Sequence, residues 1–367
     1  MTAPLEAELK ALIAAEGPIS VGRYMALALG HPKHGYYVTR DPLGAKGDFT
    51  TAPEISQMFG ELIGLWAVAT WQQMGAPEAF RLVELGPGRG TLMADALRAA
   101  KLLPAFGAAM SLHMVEMSPV LRAKQADNLS AYAPTWHDRL EDMPEGPAIV
   151  IANEFFDALP IDQFVRGPQG WHERRVGLDG DDNFVFGIDP RPFPALSALA
   201  TRFPAPHEGA VLERLESGAV HALAGRLATQ GGAALVIDYG HSAHGYGDTL
   251  QAMKDHRFVD PLTAPGTADL TAHVDFAALA EIARGDGARA FGPLTQGEFL
   301  NRLGLAARAA QLAQNATERQ RADITSAQAR LAGSGQGEMG SLFKVLALGN
   351  ATLGPLPGFD RQEEFAA

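Results

Sequence analysis

Apolar residues recur at helical spacing through the first part of the chain and then change to short runs that are apolar on both faces. Leu5, Leu9, Leu12 and Ile13 fall on one helical face, and Gly17-Pro18 closes that segment. Ser20 precedes a second short helix through Leu29. Residues 30–52 are rich in Gly, Pro and Asp and read as a long loop. Thr51-Ala52-Pro53-Glu54 reads as a helix start: Thr51 caps, Pro53 suits the first turn, and Glu54 completes a capping box. The helix that follows presents Ile55, Met58, Phe59, Leu62, Ile63 and Trp66 at spacings of three and four.

From residue 81 the period changes. Arg81–Gly86, Ser111–Glu116, Ala148–Asn153 and Ala234–Asp238 are short apolar runs, the first three separated by stretches long enough for a helix. Runs apolar on both faces that alternate with helices predict a parallel sheet covered on both sides. The fold class is therefore α/β, doubly wound, with a mostly parallel Rossmann-like sheet. Residues 154–233 are too many for a simple crossover. Within them Ile161–Arg166, Trp171–Leu178 and Asn183–Ile188 read as a β-meander, and Val211–Gln230 reads as a helix. The rest is expected as a loop-rich stretch at 241–272, helices across 275–332, a glycine linker at 333–337, a last strand Leu342–Leu348 and a loose tail after Gly349. The predicted organisation is an N-terminal helical cap at 1–75, a core at 76–160 and 230–350 with a helical insertion at 275–332, and a substrate-recognition insertion at 161–229.

Composition narrows the chemistry. The 367 residues are 47% hydrophobic and 20% charged, enough to bury a large core. Lys+Arg is 30 and Asp+Glu is 42, and the resulting charge of −12 disfavours nucleic acid or an anionic membrane surface as partner. There is no cysteine, so disulfides, thiolate metal sites and cysteine nucleophiles are excluded. No apolar run reaches the roughly 20 residues of a bilayer span, and residues 1–8 show neither a basic n-region nor an apolar h-region. A cytoplasmic protein is the expectation.

Val83-Glu84-Leu85-Gly86-Pro87-Gly88-Arg89-Gly90-Thr91 is the sharpest local signal: a strand ends, glycines follow and a helix begins. Glycine there lets backbone approach a ligand closely. Dinucleotide proteins place a pyrophosphate at such a turn, but here Thr91 stands where their last glycine would be, and Glu84 fits poorly beside a diphosphate. Glu84 suits a cationic ligand, an ammonium group or a sulfonium. Glu116, ending the second strand, is placed to accept hydrogen bonds from ribose hydroxyls, as in either cofactor class. Together the loop, Glu84 and Glu116 point to S-adenosylmethionine, with a nucleotide cofactor as the other possibility and a plain strand–helix turn as the bland one. Asn153-Glu154-Phe155-Phe156-Asp157-Ala158-Leu159-Pro160 follows the third strand, at the carboxyl edge where open α/β sheets bind ligands. Its amide and carboxylates are suited to orient a nitrogen nucleophile, and its phenylalanines to face a cation. Asp138, after Trp136-His137, is a candidate contact of the adenine edge, and Gly47–Pro53 a candidate lid.

In order along the chain, Gly47–Glu54, Glu84–Leu92, Val115–Pro119, Asn153–Pro160, Asp238-Tyr239-Gly240, Gly266–Phe276 and Met339–Phe343 resemble the MidA-type class I S-adenosylmethionine-dependent methyltransferases. The resemblance covers nearly the whole chain. It implies S-adenosylmethionine as cofactor, with Glu84, Gly86, Pro87, Gly88, Gly90, Glu116, Asp138 and Asn153 around it. It implies a protein-arginine substrate, since the mitochondrial member of the family is the complex I assembly factor that symmetrically dimethylates an arginine in the quinone-pocket subunit of NADH dehydrogenase. Catalytic candidates are then Glu154 and Asp157, a carboxylate pair for a guanidinium that stays protonated, with Asp238 and His273 beside them. No mitochondrial presequence is seen, so a bacterial member is expected.

Other classes fit less well. Gly240-His241-Ser242-Ala243-His244 is one residue short of a nucleophile elbow and is not followed by a helix. His31 with His34, and His241 with His244, lie in loops without a third ligand nearby, so no metal is expected. No Walker loop is present. A non-catalytic assembly protein that keeps the methyltransferase fold is the alternative from another class.

Overall fold

The computed structural model describes residues 4–39, 51–196 and 205–365; Gly47–Thr50 of the expected lid lie outside them. The chain forms two compact units. One comprises Met1–Phe49, Asp157–Glu216 and Ala243–Asp275, and the other Thr50–Phe156, Ser217–Ser242 and Phe276–Ala367.

The second unit is built on the predicted doubly wound α/β sheet. Strands β1 (Phe80–Leu85), β2 (Met110–Val115), β3 (Thr135–His137), β4 (Ala148–Asn153) and β5 (Gly232–His241) are mutually parallel where they pair. Next to β5 lies β7 (Phe343–Gly349), antiparallel to it, and β6 (Arg289–Thr295) closes the edge antiparallel to β7. The order is thus β3-β2-β1-β4-β5-β7-β6. Alternate residues of the central strands are buried on opposite faces, as a covered parallel sheet requires. Leu82, Ile149, Ile151, Leu235 and Ile237 join a core with Phe59, Ile63 and Trp66 of helix α1 (Gln57–Gln73), while Val83, Val150 and Val236 are equally buried between them. The order reverses between β1 and β4, and the crevice at such a reversal is where open α/β sheets bind ligands.

The first unit carries the meander. Strands Ile161–Gly167, Gly170–Leu178 and Phe184–Pro192 run antiparallel, joined by Ile19–Ser20 on one and Val211–Leu215 on another. A second small sheet joins Gln251–Lys254 with Arg257–Val259 and Asp269–Thr271. Leu5, Leu9 and Ile13 of the first helix, with Tyr24, Met25 and Tyr36, pack with Ile161, Val176 and Leu270. The expected second helix is Val21–Gly30, and Ser20 caps it, accepting the Arg23 N–H.

Five expectations are corrected. The capping box at Thr51 does not form: Ala52–Ile55 is a single turn, Thr51 makes no side-chain cap bond, and Ser56, in extended backbone, caps α1 instead. Val211–Gln230 is a strand followed by helix α4 (Gly218–Gln230), because Val211–Leu215 finds a backbone partner in Ile161–Val165. The stretch expected to be helical from 275 to 332 contains β6, whose Gly292-Pro293 falls at an irregularity of an edge strand, where proline is tolerated. The tail after Gly349 is packed: Leu353, Leu356 and Phe359 are buried, and Arg289 pairs with Glu364. The expected boundary at residue 75 also moves, since α1 belongs with the sheet of the second unit.

Candidate active site

Strand register gathers the predicted residues of the second unit along one edge. Leu85 lies opposite both Val115 and Ala152, Val115 opposite His137, and Asn153 opposite Ile237. The residues at or just beyond these positions are Glu84, Glu116, Asp138, Asn153, Glu154 and Asp238.

The glycine loop is held open in a conformation that L side chains resist. Gly86, Gly88 and Gly90 have φ of 60, 54 and 79°. A Cβ on Gly86 would also stand 3.0 Å from the Phe155 ring. The Gly90 N–H closes the turn onto the Pro87 carbonyl at 2.7 Å. Neighbouring elements then fix the loop. The Thr91 hydroxyl, at the start of helix α2 (Thr91–Ala100), donates to Glu54 Oε1 at 2.7 Å. From helix α3 (Pro119–Asn128), Gln125 donates to the Gly88 carbonyl at 2.7 Å and Asn128 to the Arg89 carbonyl at 2.8 Å.

Glu84 is 3% exposed, and its Oε2 has no hydrogen-bond partner among the described residues. Burial pushes its carboxyl well above the usual carboxylate range. The Oδ1 of Asn153, 8% exposed, is likewise without a partner among the described residues. Glu116 is better served. Its Oε1 accepts the Ser118 N–H at 2.7 Å and its Oε2 the Gln125 amide at 3.3 Å. Burial raises its carboxyl, and the Ser118 N–H, the Gln125 amide and Arg122 partly offset that. Arg122 binds the Glu116 carbonyl through Nε at 2.7 Å and through Nη2. The same guanidinium reaches Asp138 at 2.6 Å, whose side chain is 73% exposed.

Glu154 adopts φ 51°, a left-handed backbone conformation that costs a non-glycine residue about 1–2 kcal/mol. Its N–H is tied to the Ile237 carbonyl at 2.9 Å. Its Oε1 accepts from the Ala52 N–H and the Asn153 amide, both at 3.2 Å, which anchors that oxygen. Asp238, with no exposed surface, is used differently: Oδ2 accepts the N–H groups of Phe155 at 3.2 Å and Phe156 at 2.9 Å, and Oδ1 that of Tyr239 at 2.9 Å. It shapes the loop after β4. Of the two phenylalanines, Phe156 is buried and Phe155 covers Gly86.

Asp157 and His273 belong to the first unit. There the Asp157 carbonyl accepts the Ala272 N–H at 2.9 Å, bringing the two stretches together, and the His273 N–H is held by Thr249 Oγ1 at 2.9 Å. Among the described residues no group of three His, Cys, Asp or Glu side chains is arranged to hold a metal.

Residues 62–294 match the model of a family described as "Putative S-adenosyl-L-methionine-dependent methyltransferase". The chain belongs to this family. It is 40% identical over 375 residues to the mitochondrial protein arginine methyltransferase NDUFAF7 homolog of Drosophila melanogaster, covering 94% of this chain and 84% of that protein. The NDUFAF7 protein arginine methyltransferase of Danio rerio is 42% identical over 326 residues, 82% of this chain and 76% of its own. A crystal structure from Burkholderia thailandensis, bound to S-adenosyl-homocysteine, superposes with a TM-score of 0.83 at 31% identity, over 99% of this chain and 95% of that one.

The methyltransferase takes S-adenosylmethionine as cofactor. Its own residues fit that group. A positively charged ligand supplies what the orphaned Glu84 oxygen lacks, hydroxyl groups suit the Glu116 carboxylate, and a glycine loop without side chains admits close backbone approach. Sequence reasoning missed Gln125, Arg122, Trp136 and the Glu54–Thr91 bond. One signal was present: Ser118, Arg122 and Gln125 fall on one face of a helix that opens with Ser-Pro, and that face meets Glu116.

Proposed function

We propose that this methyltransferase modifies arginine in a protein and that Glu154 orients the accepting guanidinium. The named activity of the NDUFAF7 relatives supports the substrate class. The observation that carries the role of Glu154 is its carboxylate, anchored through Oε1 on a backbone held in the left-handed region. Strain of this kind persists where surrounding structure over-determines it, and it clusters at functional sites.

S-adenosylmethionine, when bound, supplies a methyl group on a sulfonium. Glu84 faces a cation, and Glu116 accepts ribose hydroxyls. Arginine presents a planar fork of N–H donors that is always charged, and a carboxylate held in place matches that fork. Gripping one side of the fork aims the remaining nitrogen and converts a bimolecular encounter into an oriented one. Methyl transfer would break the sulfur–carbon bond and leave a neutral thioether as the new N–C bond forms, and the proton that the nitrogen sheds would go to a carboxylate oxygen of Glu154. Asp238 acts through the loop, not on the substrate. The family resemblance points to the quinone-pocket subunit of respiratory NADH dehydrogenase as the substrate, with symmetric dimethylation as the product.

The test is transfer of labelled methyl to that subunit, followed by hydrolysis and identification of the modified amino acid. Methylarginine is expected. Glu154→Gln should bind S-adenosylhomocysteine as the native protein does and lose roughly 100-fold in transfer rate, the order expected for a misplaced reactant. Label on another residue type, or full turnover by the variant, would overturn the proposal.

A further inference from the structure

We infer that Gln125 is a positioning residue of the cofactor site: it ties the Glu116 carboxylate to the Gly88 carbonyl and is itself oriented by Trp136. The inference rests on reading Glu116 as the ribose acceptor.

Gln125 has no exposed surface, and it lies seven residues beyond the Ser118 cap of α3. Its amide makes three contacts. Nε2 donates to the Gly88 carbonyl at 2.7 Å and to Glu116 Oε2 at 3.3 Å, while Oε1 accepts the Trp136 indole N–H at 2.7 Å. The partners come from the loop after β1, the end of β2 and strand β3. The indole nitrogen is only a donor, and the carbonyl and carboxylate oxygens are only acceptors. One orientation of the amide therefore satisfies all three contacts. The flipped one opposes two donors at Trp136 and crowds three acceptors at the other end. Trp136 thus decides which way Gln125 points, and Gln125 holds together two acceptors that would otherwise repel.

Gly88 lies in the loop that follows Glu84, and Glu116 takes the ribose. The bridge therefore fixes the span between two parts of one ligand's site. The charged side chain that acts on the Glu116 carboxyl is Arg122, which binds the Glu116 carbonyl instead of its carboxylate and pairs with Asp138. A residue that merely filled space here would not couple to Glu116.

A double-mutant cycle separates these cases, with S-adenosylhomocysteine titrated calorimetrically into the native protein, Glu116→Ala, Gln125→Leu and the double variant. Each single change is expected to weaken binding about tenfold, and the double variant should be little weaker than Glu116→Ala alone. Independent action predicts a loss of about 100-fold in the double variant, and that additivity would overturn the inference. Trp136→Phe, which keeps an aromatic ring and removes the indole N–H along with part of the indole's bulk, should weaken binding severalfold and serves if Gln125→Leu does not fold. Gln125→Glu supplies a readout that a filler role would not move. It places a carboxylate against Glu116, so its affinity should fall as pH rises, whereas native affinity rises as Glu84 and Glu116 ionise. Unchanged binding in both Gln125→Leu and Trp136→Phe would refute the role. If Glu116→Ala itself binds normally, the ribose reading fails and the inference with it. If Glu116→Ala weakens while the Gln125 variants do not, only the inference fails.

Discussion

Glu84 and Asp238 stand two strands apart on the same sheet edge, and both carboxylates are buried. Their surroundings differ. Asp238 receives three backbone N–H groups, from Phe155, Phe156 and Tyr239. Glu84 presents an oxygen with no donor among the described residues, and burial drives its carboxyl toward the neutral form. A buried polar group without a partner is destabilising. One that is retained at the reversal point of a doubly wound sheet, beside a glycine loop, is accounted for by a ligand. Burial and charge alone therefore do not distinguish a binding carboxylate from a structural one; the supply of donors does.

The comparison can be broken in three ways, from the largest effect to the smallest. Asp238→Ala strands three amide groups, each worth about 1–3 kcal/mol when left unpaired in the interior. A stability loss of at least about 3 kcal/mol is expected by denaturant unfolding. A variant of native stability without methyl transfer would instead place Asp238 at the substrate. Glu84→Gln keeps shape and removes charge. Native stability or better is expected, with S-adenosylhomocysteine binding weakened about tenfold, or ~1.4 kcal/mol. Native affinity in this variant would show that the ammonium group, the cation that S-adenosylhomocysteine keeps, does not face Glu84. The smallest effect is in the pH dependence of stability. Because the folded-state pKa of Glu84 is raised, the folded protein binds more protons than the unfolded chain between the two values, so this group's contribution falls as pH rises through that window. The stability of Glu84→Gln relative to native should therefore be flat below the ordinary carboxylate range and grow above it. A constant difference across pH would mean that Glu84 is solvated.

The two units were not equally legible in the sequence. β1, β2, β4 and β5 were readable because strands buried on both faces write continuous apolar runs, and the turn at Gly86–Gly90 was readable because its backbone demands glycine. Val211–Leu215 was not. Its alternative as a helix is settled by pairing with Ile161–Val165, about 50 residues earlier, and no local pattern records that partner. Glu54 shows the same limit on a smaller scale. Its spacing from Thr51 fits a capping box, yet its carboxylate bonds Thr91, which becomes a neighbour only when Ala52–Ile55 meets α2. The loose tail was misjudged because Leu353, Leu356 and Phe359 look sparse in sequence and become core only against the finished sheet.

Local periodicity and the backbone of the glycine turn write the sheet, that turn and the carboxylates at strand ends into the chain, while the cofactor class was read from Glu84, Glu116 and the family resemblance. Which carboxylate is satisfied and which waits for a ligand, that Glu154 is held at positive φ with Oε1 anchored, and that Gln125 bridges the loop and Glu116 emerge only on folding. Hydrogen bonds are directional and short, so they form only after segments distant in the chain have been brought within about 3 Å of one another.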